Sequence, residues 1–436
     1  MQKEQKSTGL IWFKNNLRIS DNITIDLACK KHDQIIAIYI FDKNVFDETI
    51  FGFKKMGVHR AQFLIETVQQ LKENLAQKNI SLLTFVGVPE QILPKICNEY
   101  NITEIFAQKE WTSEEVNTYK KVEQKIQNDC KISYSYDQFL YHPEDINIEF
   151  KDIPSVFSNF RRKVEKYISV RKESTFEKRH EENLIETTTT IPDVKALGYP
   201  SLIQDRSTSF PFTGGENEAL KRIDYYFFES KKISFYKETR NGLLGADYSS
   251  KLSPWLANGS ISAKTIYWKL KEYELKHGGN ESTYWLIFEL IWRDYFKYIS
   301  IKHGNELFKI GGILQKKYEW SSNELEIQNW IHGRTNEPFV NANMIELKET
   351  GFMSNRGRQN VASYFSKELL LDWRIGAAYF ESMLVDFDVH SNYGNWLYLS
   401  GVGNDPRDRK FNIKVQAERY DSKQEYQNHW LKNTHF

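Results

Sequence analysis

Short apolar runs alternate with amphipathic segments over the first third of the chain. "GLIWF" (9–13), "IIAIYIF" (35–41), "SLLTFVG" (81–87), "EIFAQ" (104–108) and "KISYSY" (131–136) have the length and β-branched character of strands. "HRAQFLIETVQQLKENLAQ" (59–77) and "SEEVNTYKKVEQKIQ" (113–127) repeat apolar residues at i, i+3 and i+4, which lays one apolar stripe along a helix. Strand–helix–strand alternation predicts a parallel sheet with helices on both faces, an α/β domain over 1–136. The turn after the first strand is "KNNLRISDN". It has no GxGxxG, which argues against a standard dinucleotide site there.

The pattern changes at about residue 137. Up to about 215, five prolines, the tract "ETTTT" and several charge runs predict a polar connector with only short helices. From "GGENEALKRIDYYFFE" onward the periodicity is helical to the end, punctuated by "NGLLGADYSS", "KHGGN", "HGRTNEP" and "ETGFMSN", so 216–436 reads as a large all-α domain. There is no internal repeat at solenoid periods.

Composition adds limits. A chain of 436 residues is long for one core, so two or three domains are expected. Aromatic residues make up 14%, which fits a planar ligand, base stacking or a large aromatic core. With a net charge of +1, nucleic-acid binding would need a local basic patch. Cys29, Cys97 and Cys130 have no metal-site spacing and fit a reducing cytosol, so a cytoplasmic protein with no metal is expected. A monomer is the expected state. The start "MQKEQKSTGLIWF" does not read as a signal peptide, and no run is long enough to span a membrane.

Four segments could carry chemistry, and each also has an ordinary structural reading. In "WLIFELIWRDYF" (285–296), Glu289, Trp292 and Arg293 share a helix face, as a buried ion pair or as a pocket wall. In "DYSSKLSPWLANGSIS" (247–262), Ser249, Ser250 and Ser253 stand before a helix, as a phosphate cradle or as an N-cap. "GFMSNRGRQN" (351–360) places Arg356 and Arg358 near a helix start, where the macrodipole disfavours cations, so both need anionic partners. "DFDVHSNYGNW" (386–396) resembles a metal loop, but no glutamate closes a twelve-residue calcium loop, and no nucleophile motif accompanies its acids.

Taken together, these segments resemble the photolyase/cryptochrome family, and within it the cryptochrome DASH branch. The match runs without a break from "GRTNEPFVNANMIELKETGFMSNRGRQN" through "DFDVHSNYGNWLYLSGVGNDPRDRKFNI". "YKETRNGLLGADYSSKLSPWLANGSIS", "YWLIFELIWRDYF" and "IWFKNNLRISDN" match upstream, and the likeness is weakest in the connector.

The resemblance implies an α/β antenna domain, a long connector and a helical domain that buries FAD. It implies that Tyr236, Ser249, Ser250, Lys251, Leu252 and Ser253 cradle the FAD phosphates. Trp292, Arg293 and Asn355 line the same cavity. Asp386 pairs with Arg358, Asp388 meets the N3 edge of the flavin ring, and Asn392 faces N5. Trp396, Trp373 and Trp320 occupy the positions of an electron relay running from the flavin to the surface.

The implied reaction is light-driven: reduced FAD lends an electron to a cyclobutane pyrimidine dimer, which splits. Glu289 and Trp292 would contact the lesion, and Arg240, Arg356 and Lys410 the DNA phosphates. Gln359 and Tyr398 stand where dimer photolyases usually carry methionine and tryptophan. Weaker apolar packing around the lesion predicts a preference for single-stranded DNA, which avoids the unpairing cost. "FAQKEWTSEE" (106–115) resembles the family's site for 5,10-methenyltetrahydrofolate, with Glu110 as the contact and Trp111 on the pterin or filling part of the site. A blue-light receptor is the competing expectation. The short stretch after the helical domain, "ERYDSKQEYQNHWLKNTHF", argues against it.

Overall fold

The computed structural model describes residues 7–127, 130–405 and 407–432. Five parallel strands form one sheet in the order β3-β2-β1-β4-β5. They are β1 (Thr8–Phe13), β2 (Gln34–Asp42), β3 (Ser81–Gly87), β4 (Ile102–Gln108) and β5 (Lys131–Ser135). All six residues of β1 are buried, as a central strand covered on both faces requires. The crossovers carry α1 (Ile23–Lys31), α2 (Val58–Gln77), α3 (Pro89–Glu99) and α4 (Ser113–Glu123). The chain runs outward from β1 through β2 and β3, then returns to the other side for β4. The carboxyl ends of β1 and β4 therefore form a topological switch point, where open α/β sheets place ligands.

The connector packs closely although it has little regular structure. Its one α-helix is α5 (Phe157–Tyr167). Asp294, fully buried in the long helix Glu281–His303, accepts the backbone N–H groups of Leu140 and Tyr141 at 3.0 and 2.8 Å. Desolvation raises its pKa to about 6, against the pull of those two bonds. From Glu216 onward the described elements are helical. The long helix starts with a capping box, Asn280 with Thr283, and ends at Gly304 with φ +52°.

The turn "KNNLRISDN" joins the two parts. Glu216 accepts the N–H groups of Ile19 and Ser20 at 2.8 Å each, and buried Arg18 pairs with Asp137 at 3.3 Å while donating to the Gly259 carbonyl at 3.0 Å. Gly259 has φ +71°, and a Cβ there would stand 1.9 Å from the Asn15 carbonyl oxygen, so only glycine permits this approach. Among the described residues no helix is long and apolar enough to cross a membrane, and no cluster of His, Cys, Asp and Glu could hold a metal ion.

Candidate functional site

A cavity of about 510 Å³ opens into the helical part. Its size suits a small-molecule or cofactor site. Tyr236, Ser249, Ser250, Lys251, Leu252 and Ser253 line it from one side. Glu289, Trp292 and Arg293 reach it from the long helix, and Asn355, Arg356, Arg358 and Gln359 from the first turn of helix Asn355–Ser363. Arg240, Asp386, Asp388 and Tyr398 complete the part of the lining read from the sequence. The four sequence segments, far apart in the chain, thus converge on one volume.

Four buried polar atoms on this lining have no hydrogen-bond partner among the described residues; besides Tyr248 Oη and Arg356 Nε, two stand out. One is Lys251 Nζ. Lys251 adopts φ +62°, in the left-handed region, and its ammonium lies 3.4 Å from the Tyr248 ring centroid and 4.3 Å from that of Phe352. Burial holds its pKa well below the usual lysine range. The other is Asp386 Oδ1. The second oxygen of Asp386 accepts from Arg358 Nη2 at 3.0 Å, and Arg358 Nε donates to the Met353 carbonyl at 2.9 Å. A strained, unpaired cation and a half-satisfied carboxylate are costly in a buried site without a ligand. Together with the serine hydroxyls they fit a ligand that carries phosphate and ring N–H groups.

The outer half of the cavity is aromatic and charged. Glu289 forms an ion pair with Arg240. Burial raises the Glu289 carboxyl, and Arg240 opposes that rise. Trp292 stacks on Phe157 of α5 with ring centroids 3.6 Å apart and planes 9° apart, so one face of the indole is covered by the connector. Tyr398 meets Trp292 edge-on at 6.2 Å. Arg356 donates to Gln359 Oε1 at 2.8 Å and to Asn241 Oδ1 at 3.0 Å. The Phe157 contact was not read from the sequence, because a phenylalanine in a polar connector carries no signal of its partner.

A second cavity of about 450 Å³ lies between the sheet and the helical part, at the switch point of β1 and β4. Lys14 and Asn15 line it after β1, and Gln108 and Glu110 at and after the end of β4. Burial and the nearby charge of Glu115 push the Glu110 carboxyl up to about 7, although Gln108 donates to it at 2.6 Å. Trp111 does not line this cavity. It stacks on His390 at 4.7 Å and on Phe139 at 5.5 Å, and its indole donates to Ser300 Oγ at 2.6 Å. Ser300 Oγ also meets His390 Nδ1 at 2.8 Å, so His390, the most metal-like residue of "DFDVHSNYGNW", is a packed core group.

Asp388 and Arg293 line both cavities. Asp388 caps helix Val389–Ser400 by accepting Ser391 N–H at 2.8 Å, and its other oxygen accepts from Lys297 Nζ at 2.9 Å. Burial acts to raise this carboxyl, but the charges of Lys297 and Arg293 outweigh it and hold the group far below the usual carboxylate range.

Several expected residues lie off the first cavity. Asn392 is buried beside it, but its amide donates to the Ala377 carbonyl at 3.0 Å and it does not form the lining, whereas Ser391 and Asn395 do. Helix Val389–Ser400 turns 392 toward the neighbouring helix Trp373–Met383. Lys410 also misses the cavity and pairs with Glu368 at 2.5 Å. Trp396 and Trp373 are buried, while Trp320 is partly exposed and lines a surface depression with Lys309 and Lys316. The Trp396 ring rests on Gly376, three residues after Trp373 on the same helix, and Trp373 Nε1 donates to the Ile310 carbonyl at 3.0 Å.

Comparison with known proteins decides the family. Residues 285–435 match the model of the FAD-binding domain of DNA photolyase, and residues 9–180 that of DNA photolyase. A cryptochrome DASH from Synechocystis sp. is 42% identical over 435 residues, covering 98% of this chain and 88% of the relative. The chain belongs to the cryptochrome DASH family. A cryptochrome DASH from Xenopus laevis is 41% identical over 432 residues, covering 96% of this chain and 81% of the relative. The crystal structure of a Synechocystis cryptochrome superposes with a TM-score of 0.93 at 41% identity, over 99% of this chain and 90% of the other. A class III photolyase from Agrobacterium tumefaciens superposes with a TM-score of 0.83 at 25% identity, over 99% and 88% of the two chains. The chain therefore has the photolyase/cryptochrome fold and an FAD-binding domain.

Proposed function

We propose that the protein is a light-driven lyase that splits cyclobutane pyrimidine dimers, preferentially in single-stranded or looped DNA. The observation that carries this reading is the first cavity, which joins an unsatisfied cofactor cradle to an aromatic, charged mouth. Lys251 and the serine hydroxyls would hold the FAD phosphates, and Asp386 with Arg358 and Asp388 the flavin edge. When bound and reduced, the flavin supplies the electron that opens the cyclobutane ring.

The mouth residues recognise the lesion. Glu289 offers hydrogen-bond acceptors to pyrimidine N–H groups, and the uncovered face of Trp292 offers a stacking surface. Arg240 and Arg356 offer guanidinium groups to DNA phosphates. Gln359 and Tyr398 wall the mouth with polar atoms, so a flipped dimer gains less apolar burial to offset unpairing, and an unpaired lesion enters more readily.

The buried Trp396 and Trp373, followed by partly exposed Trp320, give an inside-to-outside order suited to refilling the flavin with electrons. The second cavity would take 5,10-methenyltetrahydrofolate. Glu110, carrying a proton below about pH 7, can donate to a pterin ring, and Lys14, Lys55 and Arg60 on the lining match the carboxylates of a folate tail.

Blue-light illumination of the FAD-loaded protein with a thymine-dimer oligonucleotide tests the reading. Recovery of intact thymines in the light and none in the dark supports it. No recovery from a protein that still photoreduces its flavin supports a photoreceptor instead.

A further inference from the structure

Lys297 has so far appeared only as the partner of Asp388, yet it stands at the wall between the two cavities. It follows Glu289 and Arg293 at four-residue intervals, so all three share one face of the long helix. Its side chain is 4% exposed. It lines the second cavity but not the first, whereas its partner Asp388 lines both. A lysine has three donor hydrogens, and Asp388 is the one hydrogen-bond acceptor its ammonium has among the described residues. Asp388 is clamped in turn, with one oxygen on the N-terminus of helix Val389–Ser400 and the other on Lys297. The remaining charged and titratable neighbours are Arg293, Asp294, Glu110 and His390. Of these, burial pushes the His390 imidazole well below its usual range, and the wall sets the carboxyl groups of Asp388, Asp294 and Glu110 against the cations Lys297 and Arg293.

We propose that Lys297 is a positioning residue that couples the two cavities, holding the Asp388 carboxylate toward the flavin while presenting its free donors to an anionic ligand in the second cavity. The proposal rests on the reading of the first cavity as the flavin site. A ligand carboxylate that engages Lys297 weakens its hold on Asp388, and the state of the flavin edge alters ligand affinity by the same factor. With Asp388 at the flavin edge, the charge of Lys297 paired to it would also favour the anionic, reduced flavin.

The test measures the flavin midpoint potential and visible spectrum of the FAD-loaded wild type, K297M and K297R, with and without added 5,10-methenyltetrahydrofolate. The expected K297M protein keeps its FAD, and its reduced-to-oxidised ratio at a given potential falls about tenfold, equivalent to about 30 mV for a two-electron couple. K297R restores the potential, and folate shifts the wild type but not K297M. A wild-type potential in flavin-loaded K297M overturns the proposal, as does a wild-type potential that folate leaves unmoved. Should K297M lose its flavin, K297Q takes its place under the same criterion. Absence of extractable FAD from the wild type strikes the flavin reading itself.

Discussion

The carboxylate of Asp388 caps the helix that carries Trp396 and, 2.9 Å away, meets the ammonium of Lys297 at the wall between two cavities. One residue thus belongs to the helix N-terminus, the first cavity and the second. Bonds on both oxygens and the charges of Lys297 and Arg293 hold this carboxyl far below the usual carboxylate range, against the rise that burial alone would cause.

Lys251 gives a prediction with opposite signs. Its buried, unpartnered ammonium is a cost without a ligand and a contact with one. Lys251→Met is expected to leave the FAD-free protein as stable or more stable, by about 1–2 kcal/mol, and to weaken FAD binding roughly tenfold or more. Thermal melts of the FAD-free protein and FAD titration check the two halves. A loss of stability without a loss of affinity contradicts the cradle role.

Glu110 sets a pH dependence. Its folded-state pKa is pushed to about 7 from 4.5, so between those values the folded protein holds a proton that the unfolded chain has released. Its contribution to stability is complete below about pH 4.5 and is lost as pH rises through 7, on the order of 3 kcal/mol in all. Glu110→Gln is expected to flatten the decline in denaturation free energy between pH 5 and about 7.5. An unchanged profile contradicts the burial argument.

Gly259 tests the joint between the two parts. A methyl group there meets the Asn15 carbonyl oxygen at 1.9 Å, on a backbone already at φ +71°. Gly259→Ala is expected to destabilise the protein by about 2 kcal/mol or more, read from denaturant unfolding. A wild-type midpoint means the two parts do not approach as described.

Trp373 is fully buried, and its indole donates to the carbonyl of Ile310, which lines the surface depression with Trp320. Trp373→Phe keeps most of the packing and removes the most easily oxidised ring. The expected protein retains FAD but no longer photoreduces it with an external reductant. Photoreduction at the wild-type rate contradicts the relay.

The strand runs and the helices 59–77 and 113–127 were legible because period-2 and period-3.6 patterns survive in the sequence. Two helices were not read. Ile23–Lys31 begins with β-branched residues, and Pro89–Glu99 contains Pro94, so both carry signals against helix. The first cavity was legible because many of its residues come in four dense motifs, and the resemblance those motifs carry implied the pairing of Asp386 with Arg358 across two of them. The second cavity was legible at only one point, Glu110, because its walls gather single residues from strand ends and from the helical part. Lys297 was missed because a lysine four residues after an arginine on a helix usually faces water. Nothing in the sequence shows the buried carboxylate 91 positions away that holds it.

Light-driven dimer repair, as proposed, is governed by the cost of extruding the lesion. Its most direct measurement is the repair rate of one thymine dimer under blue light in a single strand, a loop and a duplex, at matched protein occupancy. An extrusion cost of a few kcal/mol predicts single-strand and loop rates on the order of tenfold to a hundredfold above the duplex rate, with no reaction in the dark. Equal rates in all three substrates, or no repair in any of them by flavin-loaded protein, would contradict the account.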